Sequence, residues 1–434
     1  MQETTDAPLA LDTSPLLEKL AFALAKARAL RFSHRDLSML DALGSQYIEI
    51  SAEASIQFHS LKDGLRDLIV RDARFFGENT MMINTNNGSF GFYPNFVSGS
   101  LIRRALLTDS PEEAINWLQR VLGTTSAAGT ITNALWGAPV EQEIILFDGV
   151  KIVPIEALPD SPNKQWITDY SYMDSQLSLM SGLSFTPPQS ALVVACKVEP
   201  FIVDPELESR LLHNDYLQTN ELIKNITLVL TVVGPRTVIS AAQWFTFDEP
   251  DLEQTRLFSG RSTQMLEISP SRPNIEPTLN CAEAQEIVRA YLALQSSTQS
   301  KVCVALQRLN QSLCRHDVGD RAVELATALE ALLGDNSTTE MTHKIKVRSV
   351  RLIGGSNEAR IRNAAIINKT YSIRSALVHT GRVDASGTDT ICGERLAVSY
   401  IVEQATHICA EVIKIIIRRG SVPDWSKFDI VEHA

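Results

Sequence analysis

The sequence predicts an α+β protein: a mixed, β-rich N-terminal region followed by an all-α helical bundle. Three observations carry this reading. A chain of 434 residues exceeds one typical domain. Its hydrophobic period shifts from near two residues in the middle to near 3.6 in the last third. Between them runs a proline-spaced segment, Ser269-Pro270-Ser271-Arg272-Pro273 to Pro277, with the composition of a linker. The expected divisions are a mixed α/β region over 1–275, with a β-rich core about 140–250, a helical domain over 281–420, and a tail over 421–434.

Composition places the chain among ordinary globular proteins, at 44% hydrophobic and 21% charged residues. No apolar run approaches the roughly 18–20 residues of a membrane helix. The nearest, Val412 to Ile417, is interrupted by Lys414 and closed by Arg418-Arg419. The first residues, MQETTDAPLALD, lack a basic stretch leading into an apolar one, so a secretory signal is not expected. A cytoplasmic protein without a membrane partner follows as the expectation. Six cysteines are scattered without a Cys-x-x-Cys pair, and nothing near Cys314 and His316 completes a four-ligand zinc set. Neither a metal nor a cofactor is expected.

The elements follow in order. Ser14-Pro15 opens a first helix as N-cap and N1, and Leu17, Leu20, Ala21, Leu24 and Ala27 carry it to about Leu30. The stretch 78–100 reads as loop. Ser110 and Glu113 fit a capping box for a helix whose apolar stripe is Ile115, Leu118 and Leu122. Asp148-Gly149, between two apolar tetrads, predicts a hairpin with a type I′ turn. Loop is expected over 158–190, a strand over 191–203, and a second hairpin from 226–233 and 237–247 around Gly234-Pro235-Arg236. Beyond the linker, helices are predicted near 282–297, 299–315, 320–333, 341–353, 357–366, 369–379 and 392–418. In the last of these Ile401, Ala405, Ile408, Val412 and Ile415 form one stripe, which Ile413, Ile416 and Ile417 widen. A helix apolar nearly all round needs cover on several sides, and a homodimer through this region is expected to supply it.

The net charge of −11 is unevenly spread. Residues 280–434 hold 19 Lys and Arg against 17 Asp and Glu, whereas within 341–382 nine cations face only Glu358. Such a local field would attract phosphates despite the acidic whole. Inside it lies Tyr371-Ser-Ile-Arg374-Ser375-Ala-Leu-Val-His379-Thr-Gly381-Arg382. Ile373, Leu377 and Val378 give a helix its apolar side, Gly381 ends it, and His379 falls in the last turn, where the helix dipole favours a cation. Arg374 and His379 lie about 7.5 Å apart along the axis and about 140° apart round it. The two cannot share one face tightly, although a long guanidinium could still reach a phosphate that the imidazole also touches, especially across a dimer. The tryptophans read as core or loop anchors, and Asn84 to Gly91 lacks the Gly-Lys-Ser/Thr of a P-loop.

The segment resembles the RxxxxH motif of HEPN ribonucleases, and its surroundings resemble the Apea-like branch. "ELATALEALLG", ending at Gly334, is similar to the upstream helix of that branch, and "HKIKVRSVRLIG" over 343–354 to its basic helix. The resemblance covers roughly 140 residues. It implies a helical HEPN domain in which Arg374 and His379 are the catalytic pair of a metal-independent endoribonuclease. Ser375, Lys344, Lys346, Arg348, Arg351, Arg382 and Tyr371 would support it or bind RNA. Active members usually carry Asn, Asp or His after the motif arginine. Serine is polar there but cannot accept as a carboxylate or imidazole would. The resemblance further implies the effector of a bacterial anti-phage or toxin system acting on RNA, tRNA among the candidates. The N-terminal region would then sense a phage-derived or small-molecule trigger. Two competing expectations are a catalytically silent HEPN nucleotide-binding or dimerisation module, and a β-domain ligand binder on a helical scaffold.

Overall fold

A computed structural model describes residues 14–31, 52–71, 81–85, 88–124, 126–168, 187–198, 202–203, 213–253, 261–263, 277–335 and 340–430. Before the proline-spaced segment, which up to residue 276 lies outside the described residues, the elements are α1 (Ser14–Ala29), α2 (Ala52–Ile69), β1 (Met81–Thr85), β2 (Gly88–Phe92), α3 (Pro94–Thr108), α4 (Pro111–Gly123), β3 (Ala127–Trp136), β4 (Ile144–Phe147), β5 (Val150–Pro154), α5 (Pro162–Thr168), β6 (Ser190–Val198), β7 (Ile202–Val203), α6 (His213–Val229), β8 (Ile239–Phe247), α7 (Pro250–Glu253) and β9 (Arg261–Thr263). After it come α8 (Cys281–Leu292), α9 (Ser296–Cys314), α10 (Val318–Leu333), α11 (Met341–Ile353), α12 (Asn357–Thr380), β10 (Thr388–Ile391), β11 (Glu394–Ala397), α13 (Val398–Arg419) and α14 (Trp425–Phe428). The chain is thus mixed α+β with a mostly helical C-terminal region. No helix among the described residues is long and apolar enough to cross a membrane.

The strands form a sheet ordered β4-β5-β6-β3-β8-β9, a three-stranded sheet β2-β1-β7 and the hairpin β10-β11. By compactness the chain divides into Met1–Ile131 with Ala195–Thr219 and Trp244–Gly260, and Thr132–Val194 with Asn220–Gln243 and Arg261–Ala434. The division does not fall at the proline-spaced segment. The helical region shares its unit with 132–194 and 220–243, the middle of the expected N-terminal region.

Several local expectations hold. Helix α1 starts at Ser14, and the Ser110 hydroxyl of α4 accepts from the Glu113 amide at 3.1 Å, while the Glu113 carboxylate pairs with Arg120. Trp117, Trp136, Trp244 and Trp425 are buried. Others are corrected. The run 226–233 is the end of α6 and a 3-10 turn, not a strand. Its unbroken apolar character suits a helix buried on all sides as well as a strand. The 78–100 stretch holds β1, β2 and the start of α3, and 158–190 holds α5. At the β4-β5 turn Gly149 has a φ of 72° but Asp148 is not in the left-handed region, and the register slips between Ile145 and Phe147. The type I′ geometry lies instead at Cys392 and Gly393, with φ of 49° and 85°, between β10 and β11. That hairpin occupies the residues expected to begin the last helix, so the C-terminal region is not all-α.

Within the second unit α13 is the centre of the bundle, touching α8, α9, α10, α11 and α12. Ile401, Val412, Ile413, Ile416 and Ile417 are all buried there. Its wide apolar surface is therefore covered by its own chain, and the stripe itself does not call for a second copy. Helix α8 is fastened on two sides. Gln285 Nε2 donates to Ile145 O at 2.7 Å and Arg289 Nε to Leu146 O at 2.8 Å, occupying carbonyls of the edge strand β4. On its other side Glu283 pairs with Lys414 at 2.9 Å and Glu286 with Arg418 at 2.7 Å on α13.

Candidate functional site

Helix α12 begins where the Ser356 hydroxyl accepts from the Ala359 amide at 3.2 Å. It ends at Gly381, whose φ of 68° closes it with the amide bonded to Leu377 O at 2.8 Å. The two helices expected at 357–366 and 369–379 are one, because Asn368 and Lys369 offer no break. Ile366, Ile367, Thr370, Tyr371 and Ile373 face the interior, whereas Ile361 and Val378 are 63% and 62% exposed.

On the last two turns Arg374 is half-buried and Ser375, His379 and the following Arg382 are exposed. The Arg374 side chain is 39% accessible, with Nη2 3.9 Å from Glu330 Oε1 of α10; the Glu330 side chain is 28% accessible. Tyr371 is buried one turn earlier, and its hydroxyl donates to Ala326 O at 3.4 Å. Burial, reinforced by the neighbouring Glu330 carboxylate, pushes the Tyr371 phenol far above its usual range, so it stays a neutral donor. Near the end of α12, Gly319 of α10 leaves little room: a Cβ placed there would stand 2.9 Å from the Asp317 and Val383 side chains and 3.1 Å from that of Leu377.

The basic helix α11 is used otherwise than expected. Arg348 is only 2% accessible; it donates through Nε and Nη2 to the Asp429 carboxylate at 2.7–3.2 Å, through Nη2 to Asp335 at 2.8 Å, and through Nη1 to Leu333 O. Its guanidinium lies 5.1 Å from the Trp425 ring centre. Arg351 donates to Asp429 O at 2.7 Å and stacks over Phe428, and Lys344 pairs with Asp335 at 2.9 Å. Arg348, with Arg351, thus clamps α14 onto the bundle, which removes Arg348 from the residues available to RNA. Lys346 is half-buried on the same helix. Elsewhere Arg362 pairs with Glu394 and Lys369 with Asp389. Five of the nine cations between 341 and 382 thus face carboxylates from outside that window, which weakens the expected field.

The sequence reading did not single out Glu330 as a partner of the motif. It lies 44 residues before Arg374, and only the packing of α10 on α12 joins them. Cys314 and His316 do not form a site: the Cys314 thiol is buried and pushed up to about 11, while His316 is exposed. Among the described residues no three His, Cys, Asp or Glu side chains are grouped to hold a metal ion. Comparison of the chain with protein-family models, with curated proteins and with solved structures finds no match.

Proposed function

We propose that the chain is a metal-independent endoribonuclease of the HEPN type, the effector of a bacterial anti-phage or toxin system. The supporting observation is the accessibility of both motif side chains at the end of one helix, Arg374 at 39% and His379 exposed, where burial of either would favour a scaffold. In this reading a ribose 2′-OH attacks the adjacent phosphorus and the 5′-oxygen leaves. The products are a 2′,3′-cyclic phosphate and a 5′-OH. His379 moves the proton, since imidazole titrates near neutral pH. The Arg374 fork meets the charge that develops on the phosphorane oxygens. The N-terminal region would sense the trigger. The protein would work as a homodimer through its helical region, by a surface other than the apolar stripe of α13, which its own chain covers.

Incubation with total RNA and with tRNA tests the reading. Wild type should cut, leave cyclic phosphate ends and tolerate EDTA. Arg374→Ala and His379→Ala should each lose about 10²–10⁴-fold while keeping the fold. Ser375→Asn should cut at least as well as wild type. Cleavage by His379→Ala at the wild-type rate would refute the assignment. The competing reading, a silent nucleotide-binding or dimerisation module, draws on the Arg374–Glu330 pair, which already gives the arginine a structural partner. Nucleotide binding without cleavage would select it. Light scattering at micromolar concentration checks the homodimer, a single 47.9 kDa species counting against it.

A further inference from the structure

We infer that Glu330 is a positioning residue that holds the Arg374 guanidinium in its working orientation, with Tyr371 completing the support. The inference rests on the endoribonuclease reading for its catalytic meaning, though not for its geometry. Glu330 and Arg374 come from antiparallel neighbours, α10 and α12, and approach to 3.9 Å at a half-buried position. A flexible arginine on a helix surface loses rotamer freedom when it must meet a phosphate, and a fixed carboxylate removes that loss in advance. Glu330 sits in the last turn of α10, where its own backbone oxygen caps the helix by accepting from Gly334 at 2.9 Å. Gly334 cannot carry a Cβ, which would stand 2.5 Å from that oxygen. The backbone that bears the carboxylate is thus tightly placed. Tyr371 stands one turn before Arg374 on the same helix, its hydroxyl anchored to α10 at Ala326 O and lying beside the Glu330 carboxylate. The pair leaves the Arg374 side chain 39% accessible, as a residue that must meet a ligand requires.

Two measurements decide the point. In wild-type protein labelled with nitrogen-15, the Arg374 Nη2–H resonance, identified by its loss in Arg374→Lys, should be resolved and exchange slowly with solvent. Glu330→Gln keeps the shape and removes the charge; it should shift that resonance and speed its exchange. It should also lower kcat for RNA cleavage about tenfold or more with KM little changed, because misplaced groups cost turnover before they cost binding. Glu330→Asp should restore part of the loss. An unchanged Arg374 resonance in Glu330→Gln overturns the inference, as does cleavage equal to or faster than wild type, which would make Glu330 idle or a competitor of the phosphate. If wild type cuts no RNA yet the resonance responds as described, the positioning stands and the endoribonuclease reading falls. Matching circular dichroism and melting curves exclude a folding defect.

Discussion

Arg348 and Arg374 stand on neighbouring helices and carry the same charge, yet their surroundings give them opposite duties. Arg348 is enclosed by two carboxylates, a carbonyl and a tryptophan face. Replacing it by Ala leaves Asp429 and Asp335 without their shared cation, and should cost about 3 kcal/mol in urea unfolding. The same change should leave the salt dependence of RNA binding unaltered. Lys346→Ala and Arg382→Ala should each reduce that slope by about 0.7 if they touch phosphate, with stability nearly unchanged; filter binding across a salt series reads it. The motif itself was legible in the sequence because Arg374, Ser375 and His379 are close along one helix. The fate of Arg348 was not, since Asp429 lies 81 residues away. Charge counting over a window sees cations and misses the carboxylates that folding brings to them.

Among the elements, sequence signals held where they were local and failed where burial decided. The cap at Ser110 and the stop at Gly381 are written in single residues. The run Ile226 to Val233 became helix because nothing in its composition separates a buried strand from a helix buried all round. The turns show the same limit: Asp148-Gly149 has the favoured residues, yet Cys392-Gly393 adopts the fully left-handed pair. Gly137 gives an element-scale prediction. Its φ is 77° and an added Cβ would stand against Thr237 O, so Gly137→Ala should lower stability by roughly 2–4 kcal/mol in thermal melts. The α8–α13 fastening predicts a pH effect. The hydrogen bond from Arg418 holds the Glu286 carboxyl below its usual range. A depressed folded-state value means stability present at neutral pH and lost as acid protonates the carboxylate. Wild type should therefore lose more stability than Glu286→Gln between neutral pH and the acidic side of the glutamate range.

For the whole molecule, the sequence located the helical region and its hydrophobic centre, but not its partners. Regions 132–194 and 220–243 belong to the same compact unit as 261–434. Residues 281–434 produced alone should therefore expose the α8 side chains that meet β4 and the α13 surface that meets the 230–232 turn. Such a fragment is expected to bind a hydrophobic dye and to melt without a sharp transition; a fragment as cooperative as the intact chain would contradict this. The guarding of β4 by α8 also has a consequence in time. Gln285 and Arg289 follow the carbonyls they occupy by 140 and 143 residues. At a synthesis rate of about 5–20 residues per second, roughly 7–28 s pass before the ribosome has made them. Through that interval the nascent hairpin offers an open strand edge to neighbouring chains on the same message. Slowing translation between residues 154 and 281 should lengthen the exposure and raise the share of newly made protein that pellets, while leaving finished molecules unaffected.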